Sequence, residues 1–146
     1  MKKKIIIITS SLVVTIGLIA LIYFIFFNTK TLTCTSNIQD NYRTSKMEFK
    51  ISYIRNKVTN IIQTSNHKFS SEESMDLYKD FLDDTYDKFK GKKNIIVTRN
   101  INELEYNIAL EIKIKKINEE EAMSIDVSKK LDNMKEILSN SKFTCE

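Results

Sequence analysis

The chain has 146 residues, with 23 basic and 19 acidic side chains, two glycines, no proline and no tryptophan. Three of the basic residues lie at positions 2–4, so the remainder carries 20 basic and 19 acidic residues and lacks the excess of positive charge that nucleic-acid binding requires. With Gly17 and Gly91 as its only glycines, the chain cannot form the glycine-rich phosphate loops of nucleotide-binding proteins. The composition therefore predicts no nucleic-acid partner and no cofactor.

The first predicted element is an uncharged apolar run at residues 5–27. About 20 apolar residues in a helix cross a hydrocarbon core of about 30 Å, and this run is longer than the apolar core of an ordinary secretory signal. The three lysines at residues 1–4 predict a cytoplasmic N-terminus, because basic residues beside a span stay inside. We therefore predict a single-pass signal anchor in the cell membrane, a short tether at 28–31 and an extracytoplasmic domain at 32–146.

Alternating apolar and polar residues predict antiparallel strands in that domain. The clearest alternation covers residues 103–115. A hairpin is predicted from strands at 47–53 and 58–64, with Asn56 suited to a positive φ at its turn. Three shorter strands are predicted at residues 32–36, 95–98 and 143–145.

Helical spacing and capping residues predict two helices between the strands. Ser70 and the glutamate three residues later form a capping-box pattern, which predicts a helix over 71–90 that ends at Gly91. A second helix is predicted to begin after Ser128 as its N-cap, with a short extra turn opened by Asn118. This order of elements predicts an α+β domain in which two helices pack on one face of an antiparallel sheet.

Two cysteines lie beyond the apolar run, Cys34 and Cys145. An even number of cysteines in an oxidising compartment predicts one intramolecular disulfide, with free thiols or an intermolecular bridge as the alternative. Lipidation of Cys34 is an alternative to its pairing in a disulfide. Thr31 and Thr33 disfavour it, because they occupy positions where such sites carry an aliphatic and a small residue.

No set of side chains predicts catalysis, so we interpret the protein as a non-enzyme. His67 is the only histidine, which excludes paired-histidine zinc sites, and its polar surroundings predict a surface loop. Glu103 and Glu111 are candidates for a hydrolase carboxylate pair, although no tryptophan or aromatic cleft accompanies them. An acidic set at helical spacing predicts a solvated helix face, with a cation or basic-partner site as the alternative: Asp76, Asp80, Asp83, Asp84 and Asp87.

Four short stretches carry a resemblance to a known family, at residues 32–35, 57–59, 78–82 and 143–145. With these stretches, the part of the chain from residue 32 to residue 146 resembles the YehR-like small lipoproteins of bacteria. The resemblance implies an exported α+β domain and supplies no substrate and no site residues. The chain differs from the family in having a predicted spanning anchor instead of a lipidation site.

Two functional hypotheses follow from these features. In the first, the domain is a binding or accessory module of the cell envelope that recognises a peptide, a wall polymer or another membrane protein through a sheet edge or a helix face. In the second, it is an unusual carboxylate-dependent hydrolase that acts outside the cell. A pilin-like subunit is disfavoured, because no glutamate lies near the start of the apolar run.

Overall fold

A computed structural model describes residues 17, 18, 20–23 and 28–146. Residues 17, 18 and 20–23 are α-helical. Among all the described residues, no helix has both the length and the apolar character needed to cross a membrane. The predicted cytoplasmic flank at 1–4, and the predicted span at 5–27 apart from these few helical positions, lie outside the described residues.

Residues 28–146 fold into one antiparallel sheet of six strands with three α-helices. The strands are β1 Lys30–Gln39, β2 Arg43–Ile54, β3 Lys57–Phe69, β4 Ile95–Asn102, β5 Glu105–Ile112 and β6 Thr144–Cys145. The helices are α1 Glu72–Asp87, α2 Glu119–Met123 and α3 Leu131–Asn140, with a 3-10 turn at Ile114–Lys116. Neighbouring strands are antiparallel in the order β4-β5-β3-β2-β1-β6. The predicted α+β class is confirmed.

The core lies between the helices and one face of the sheet. On β5, every second side chain is buried, from Tyr106 to Ile112. α1 covers one end of this row through Leu82, and α3 covers the other end through Met134. Successive side chains of a strand point to opposite faces, so the intervening residues of β5 lie on the other side of the sheet. None of the helices of residues 28–146 packs on that side.

The boundaries of α1 differ from the predicted helix by one turn at its C-terminal end. Its N-cap is Ser71, whose hydroxyl accepts a hydrogen bond from the Ser74 amide at 3.2 Å, and not Ser70. The hydroxyl of Ser70 instead donates to the carbonyl of Tyr42, immediately before β2. The helix ends at Asp87, and Gly91 takes a positive φ of 76° in the turn that follows.

The turn between β2 and β3 caps helix α3. Arg55, and not Asn56, takes the positive φ of this turn, at 55°. Asn56 accepts hydrogen bonds from the Leu131 amide through its carbonyl and from the Asp132 amide through Oδ1, both at 3.1 Å. Two amide groups of the first helical turn are thus satisfied by a residue distant in sequence. The prediction of Ser128 as the N-cap is wrong, because Ser128 precedes the helix by three residues.

Candidate binding surface

The side of the sheet that faces away from the helices, called the open face below, carries a shallow cavity of about 430 Å³. Two rows of side chains cross four strands there in register. The first row is Lys46, Asn66, Asn107 and Asn100. The second row is Glu48, Thr64, Ala109 and Thr98. At about 4.8 Å between neighbouring strands, each row extends over about 14 Å.

The first row provides amide groups that can both donate and accept hydrogen bonds. The side-chain amide of Asn66 donates to the side-chain carbonyl of Asn107, so these two groups are held in a fixed orientation across β3 and β5. Each amide retains further donor and acceptor capacity after this bond. Such a row can bind the polar groups of an extended chain without any displacement of the backbone, whose hydrogen bonds are used within the sheet.

The charges of the cavity are one lysine and one carboxylate. Glu48 forms an ion pair at 3.0 Å with Lys50, which lies on the same strand outside the cavity. Lys46 forms no ion pair with any residue of 28–146. The cavity therefore offers a free ammonium group to a ligand, together with neutral amides and hydroxyls.

Glu103 and Glu111, the two carboxylates considered for hydrolysis, lie far apart in the structure. Glu103 lies in the turn before β5, and Glu111 lies near the other end of that strand. At about 3.4 Å per residue in an antiparallel strand, their eight-residue separation amounts to about 27 Å along β5. Two-carboxylate glycoside hydrolysis requires a separation of less than about 10 Å. Glu103 and Glu111 cannot act as one catalytic pair in this fold.

His67 was predicted to lie in a surface loop, and this prediction is wrong. The residue lies on β3 with its side chain toward the helices and is only 4% exposed. Its Nδ1 lies 2.8 Å from the hydroxyl of Ser45, which is 1% exposed. Burial, together with the nearby charge of Arg43, lowers the pKa of His67 to about 4. The Ser45–His67 pair resembles a nucleophile and base, but it is sealed in the core and lies outside the cavity of the open face.

A second buried polar group joins α1 to β3. The phenol of Tyr86 donates to the hydroxyl of Ser65 at 3.1 Å and lies 3.3 Å from the Nε2 of Gln63. Burial, which outweighs these two hydrogen bonds, raises the pKa of Tyr86. Gln63, Ser65 and His67 are alternate residues of β3, so the helix-facing side of this strand is mostly polar between Ile61 and Phe69.

The predicted acidic face of α1 consists of two groups. Asp83 and Asp87 turn toward the sheet, where Asp83 binds the Arg99 guanidinium at 2.6 Å and accepts from the Tyr106 phenol at 2.7 Å. Burial alone would raise the pKa of Asp83, but hydrogen bonds from Lys79 and Tyr106 and the charge of Arg99 hold it below its usual value. These two residues attach α1 to β4 and β5. Asp87 remains exposed, so the interpretation of a solvated face is wrong only for Asp83.

The other three members of the acidic set, Asp76, Asp80 and Asp84, are exposed to solvent. Within the residues that the structure describes, no three histidine, cysteine or acidic side chains are grouped so that they could hold a metal ion. The exposed carboxylates therefore supply negative charge to the outer side of α1.

The two cysteines form the predicted intramolecular disulfide, which joins β1 to β6. The sulfur atoms of Cys34 and Cys145 are bonded at 2.02 Å, and the Cα atoms lie 3.9 Å apart. Thr33 and Glu146 exchange both backbone hydrogen bonds, at 3.0 and 2.8 Å, so the neighbouring cysteines occupy a non-hydrogen-bonded pair. The predicted disulfide is confirmed, and it joins two adjacent antiparallel strands.

No protein-family model and no curated protein sequence matches the chain. Among solved structures, it is similar to the NMR structure of the Escherichia coli YehR protein, with a TM-score of 0.54 at 11% identity, over 81% of this chain and 92% of YehR. The chain has the fold of YehR. The NMR structure of a protein from Streptococcus pneumoniae TIGR4 is also similar, with a TM-score of 0.51 at 11% identity, over 82% of this chain and 86% of that one. The YehR-like resemblance predicted from the four short stretches is thus confirmed for the fold.

Proposed function

We propose that the protein is a membrane-anchored, extracytoplasmic binding module that holds a segment of peptide or wall polymer on its open face. The observation that carries this proposal is the cavity on the sheet side that no helix covers, which is lined mostly by residues with amide, hydroxyl or charged groups. Its two rows of side chains present amides, hydroxyls and one unpaired lysine over about 14 Å, a width that suits a few units of an extended polar chain.

The apolar character of residues 5–27 supports the membrane anchor. The helical residues described within this range include Leu18, Leu21 and Ile22, and each exposes more than half of its surface. Exposed apolar area costs about 25 cal/mol per Å² in water, so such a helix is stabilised by a lipid environment. The charge asymmetry of residues 1–4 supports an orientation with the domain outside the cytoplasm.

The orientation is tested with a membrane-impermeant amine reagent on intact cells that express the full chain. We expect the lysines beyond residue 28 to be modified before lysis, with a cytoplasmic protein as the control for intact membranes. Modification of those lysines only after lysis would reverse the proposed topology.

The binding face is tested with a matched pair of substitutions at exposed threonines of the open face. Thr98 lies in the cavity, and Thr44 lies on the same face outside it. The probes are fluorescent peptidoglycan fragments and extended peptides, titrated with the full chain in nanodiscs. We expect Thr98→Trp to weaken binding at least tenfold because the indole fills the cavity, and Thr44→Trp to leave it unchanged. Equal effects, or no binding of any probe to the unaltered protein, would show that the cavity is not the site.

A further inference from the structure

The end of the domain that follows the predicted anchor carries a cluster of lysines. β1 begins there with Lys30, which pairs with Tyr53 just before the β2–β3 turn. The same turn leads into Lys57, which pairs with Lys130 in an isolated bridge. We define the basic end by the lysines that strand register and backbone contacts place there: Lys30, Lys57, Lys92, Lys93, Lys113, Lys115, Lys116, Lys129 and Lys130.

The lysines of the basic end have no acidic partners. None of them forms an ion pair with a carboxylate of residues 28–146, although α2 carries Glu119–Glu121 nearby in sequence. Asp132, at the start of α3, accepts a hydrogen bond from the Asn56 side chain instead. Several of the lysines, including Lys57 and Lys130, are exposed. Their charges are therefore available to an external anion.

The opposite end of the sheet carries several carboxylates, of which Asp40 and Glu105 are ion-paired with Arg43 and Lys68. It holds the β1–β2 turn, the start of α1 and the β4–β5 turn, with the carboxylates Asp40, Glu72, Glu73, Glu103 and Glu105. The domain is thus nearly neutral in total charge, but its lysines are concentrated at one end of the strands and carboxylates at the other. An anionic surface attracts one end of the domain and repels the other.

We propose that the basic end binds the anionic phospholipid headgroups of the membrane in which the chain is anchored. The proposal rests on the proposed anchor at 5–27, because the anchor determines which end of the domain meets the bilayer. Three peptide steps from residue 27 to Lys30 cover at most about 11 Å. That distance is comparable to the Debye length of about 8 Å at physiological ionic strength, so Lys30 lies within range of the headgroup charge. The other lysines of the basic end lie at the same end of the sheet.

The bound orientation fixes the exposure of the binding surface. When the basic end lies on the headgroups, the strands extend away from the bilayer. The open face is then not covered by the membrane, and ligands can reach its cavity from the side. The lysines therefore give the anchored domain a defined orientation relative to the bilayer.

The experiment measures lysine acylation by an impermeant amine reagent on the full chain in nanodiscs, with rates read for each lysine by mass spectrometry. One set of discs contains phosphatidylcholine alone, and the other contains phosphatidylglycerol as well. We expect Lys57, Lys130 and the Lys115–Lys116 pair to react at least threefold more slowly in the anionic discs, and the difference to vanish at high salt. Lys68, exposed near the opposite end, serves as the internal control and should react equally in both.

A matched pair of variants tests whether the cluster causes the shielding. Replacement of Lys115 and Lys116 by glutamate should remove most of the lipid dependence at Lys57 and Lys130, whereas Lys68→Glu should leave it intact. Equal rates at the basic end in both kinds of disc would overturn the proposal. Slower acylation caused by soluble polyphosphate, but not by anionic lipid, would assign the lysines to an anionic polymer instead and would also overturn it. Failure of the full chain to enter discs of either composition would refute the anchor itself, which separates that result from a failure of headgroup binding.

Discussion

Mild acid is expected to destabilise the domain through the titration of His67. Its folded-state pKa of about 4 lies below the ordinary value of 6.5. Between these two values the unfolded chain binds a proton that the folded chain does not, so the free energy of unfolding decreases as the pH falls through this window. From the two pKa values, the loss between about pH 7.5 and about pH 4.5 is about 2.5 kcal/mol.

The assay is urea unfolding of the full chain in a mild detergent, followed by circular dichroism at several pH values. His67→Gln is the control, because it removes the only histidine of the chain. We expect the unaltered protein to lose stability over this range and the variant to lose much less. Asp40, Asp83 and Asp87 have lowered pKa values, so their contributions are lost at still lower pH, in both proteins alike. An equal decrease in the two proteins would refute the assignment of a buried neutral imidazole.

Three further predictions concern stability. Reduction of the Cys34–Cys145 bridge, which closes a loop of 111 residues, should lower the free energy of unfolding by about 5 kcal/mol in the loop-entropy treatment, and an unchanged urea midpoint after reduction would contradict it. Asn56→Ala should cost about 1 to 2 kcal/mol through loss of the α3 cap, and equal amide exchange at the start of α3 in both proteins would exclude this role. Leu82→Ala should cost about 2 to 5 kcal/mol because Leu82 is 4% exposed, whereas Leu77→Ala on the same helix, at 68% exposed, should cost less than about 0.5 kcal/mol. Similar losses for the two leucines in thermal unfolding would show that the buried face of α1 is assigned incorrectly.

The regular parts of the fold could be predicted from local sequence patterns. β5 alternates apolar and polar residues along its whole length, and this pattern reports directly which side of the strand is buried. α1 has a hydroxyl N-cap and an apolar stripe, which determine its start and its packing side. These signals depend only on residues close together in the chain.

The polar core could not be predicted in the same way. On β3, Gln63, Ser65 and His67 face the helices, so the apolar alternation that marks burial is absent there. Their partners, Ser45 and Tyr86, come from other elements, and nothing in the local sequence indicates that they will satisfy the buried groups. Phe69, two residues after His67 and buried on the same side, is the one local signal that the strand continues.

Tertiary contacts also determine the structural roles of individual residues on the open face and in the β2–β3 hairpin. The row from Lys46 to Asn100 exists only because strand register brings together residues from four strands. Asn56 was expected to relieve backbone strain at a turn, but its side chain caps a helix that begins 75 residues later. Such roles can be recognised only when the three-dimensional arrangement of the strands and helices is known.

The pairing of β1 with β6 determines the order in which the domain can mature. β2 and β3 follow β1 closely, so their hairpins can form as soon as these segments emerge, whereas the partner of Cys34 is synthesised 111 residues later. Contacts between residues so far apart in the sequence form late in folding, because the chain loses much conformational entropy when distant segments come together. One edge of β1 therefore remains unpaired until the last strand of the domain has been synthesised. The Cys34–Cys145 bond then holds β6 against this edge in the completed domain.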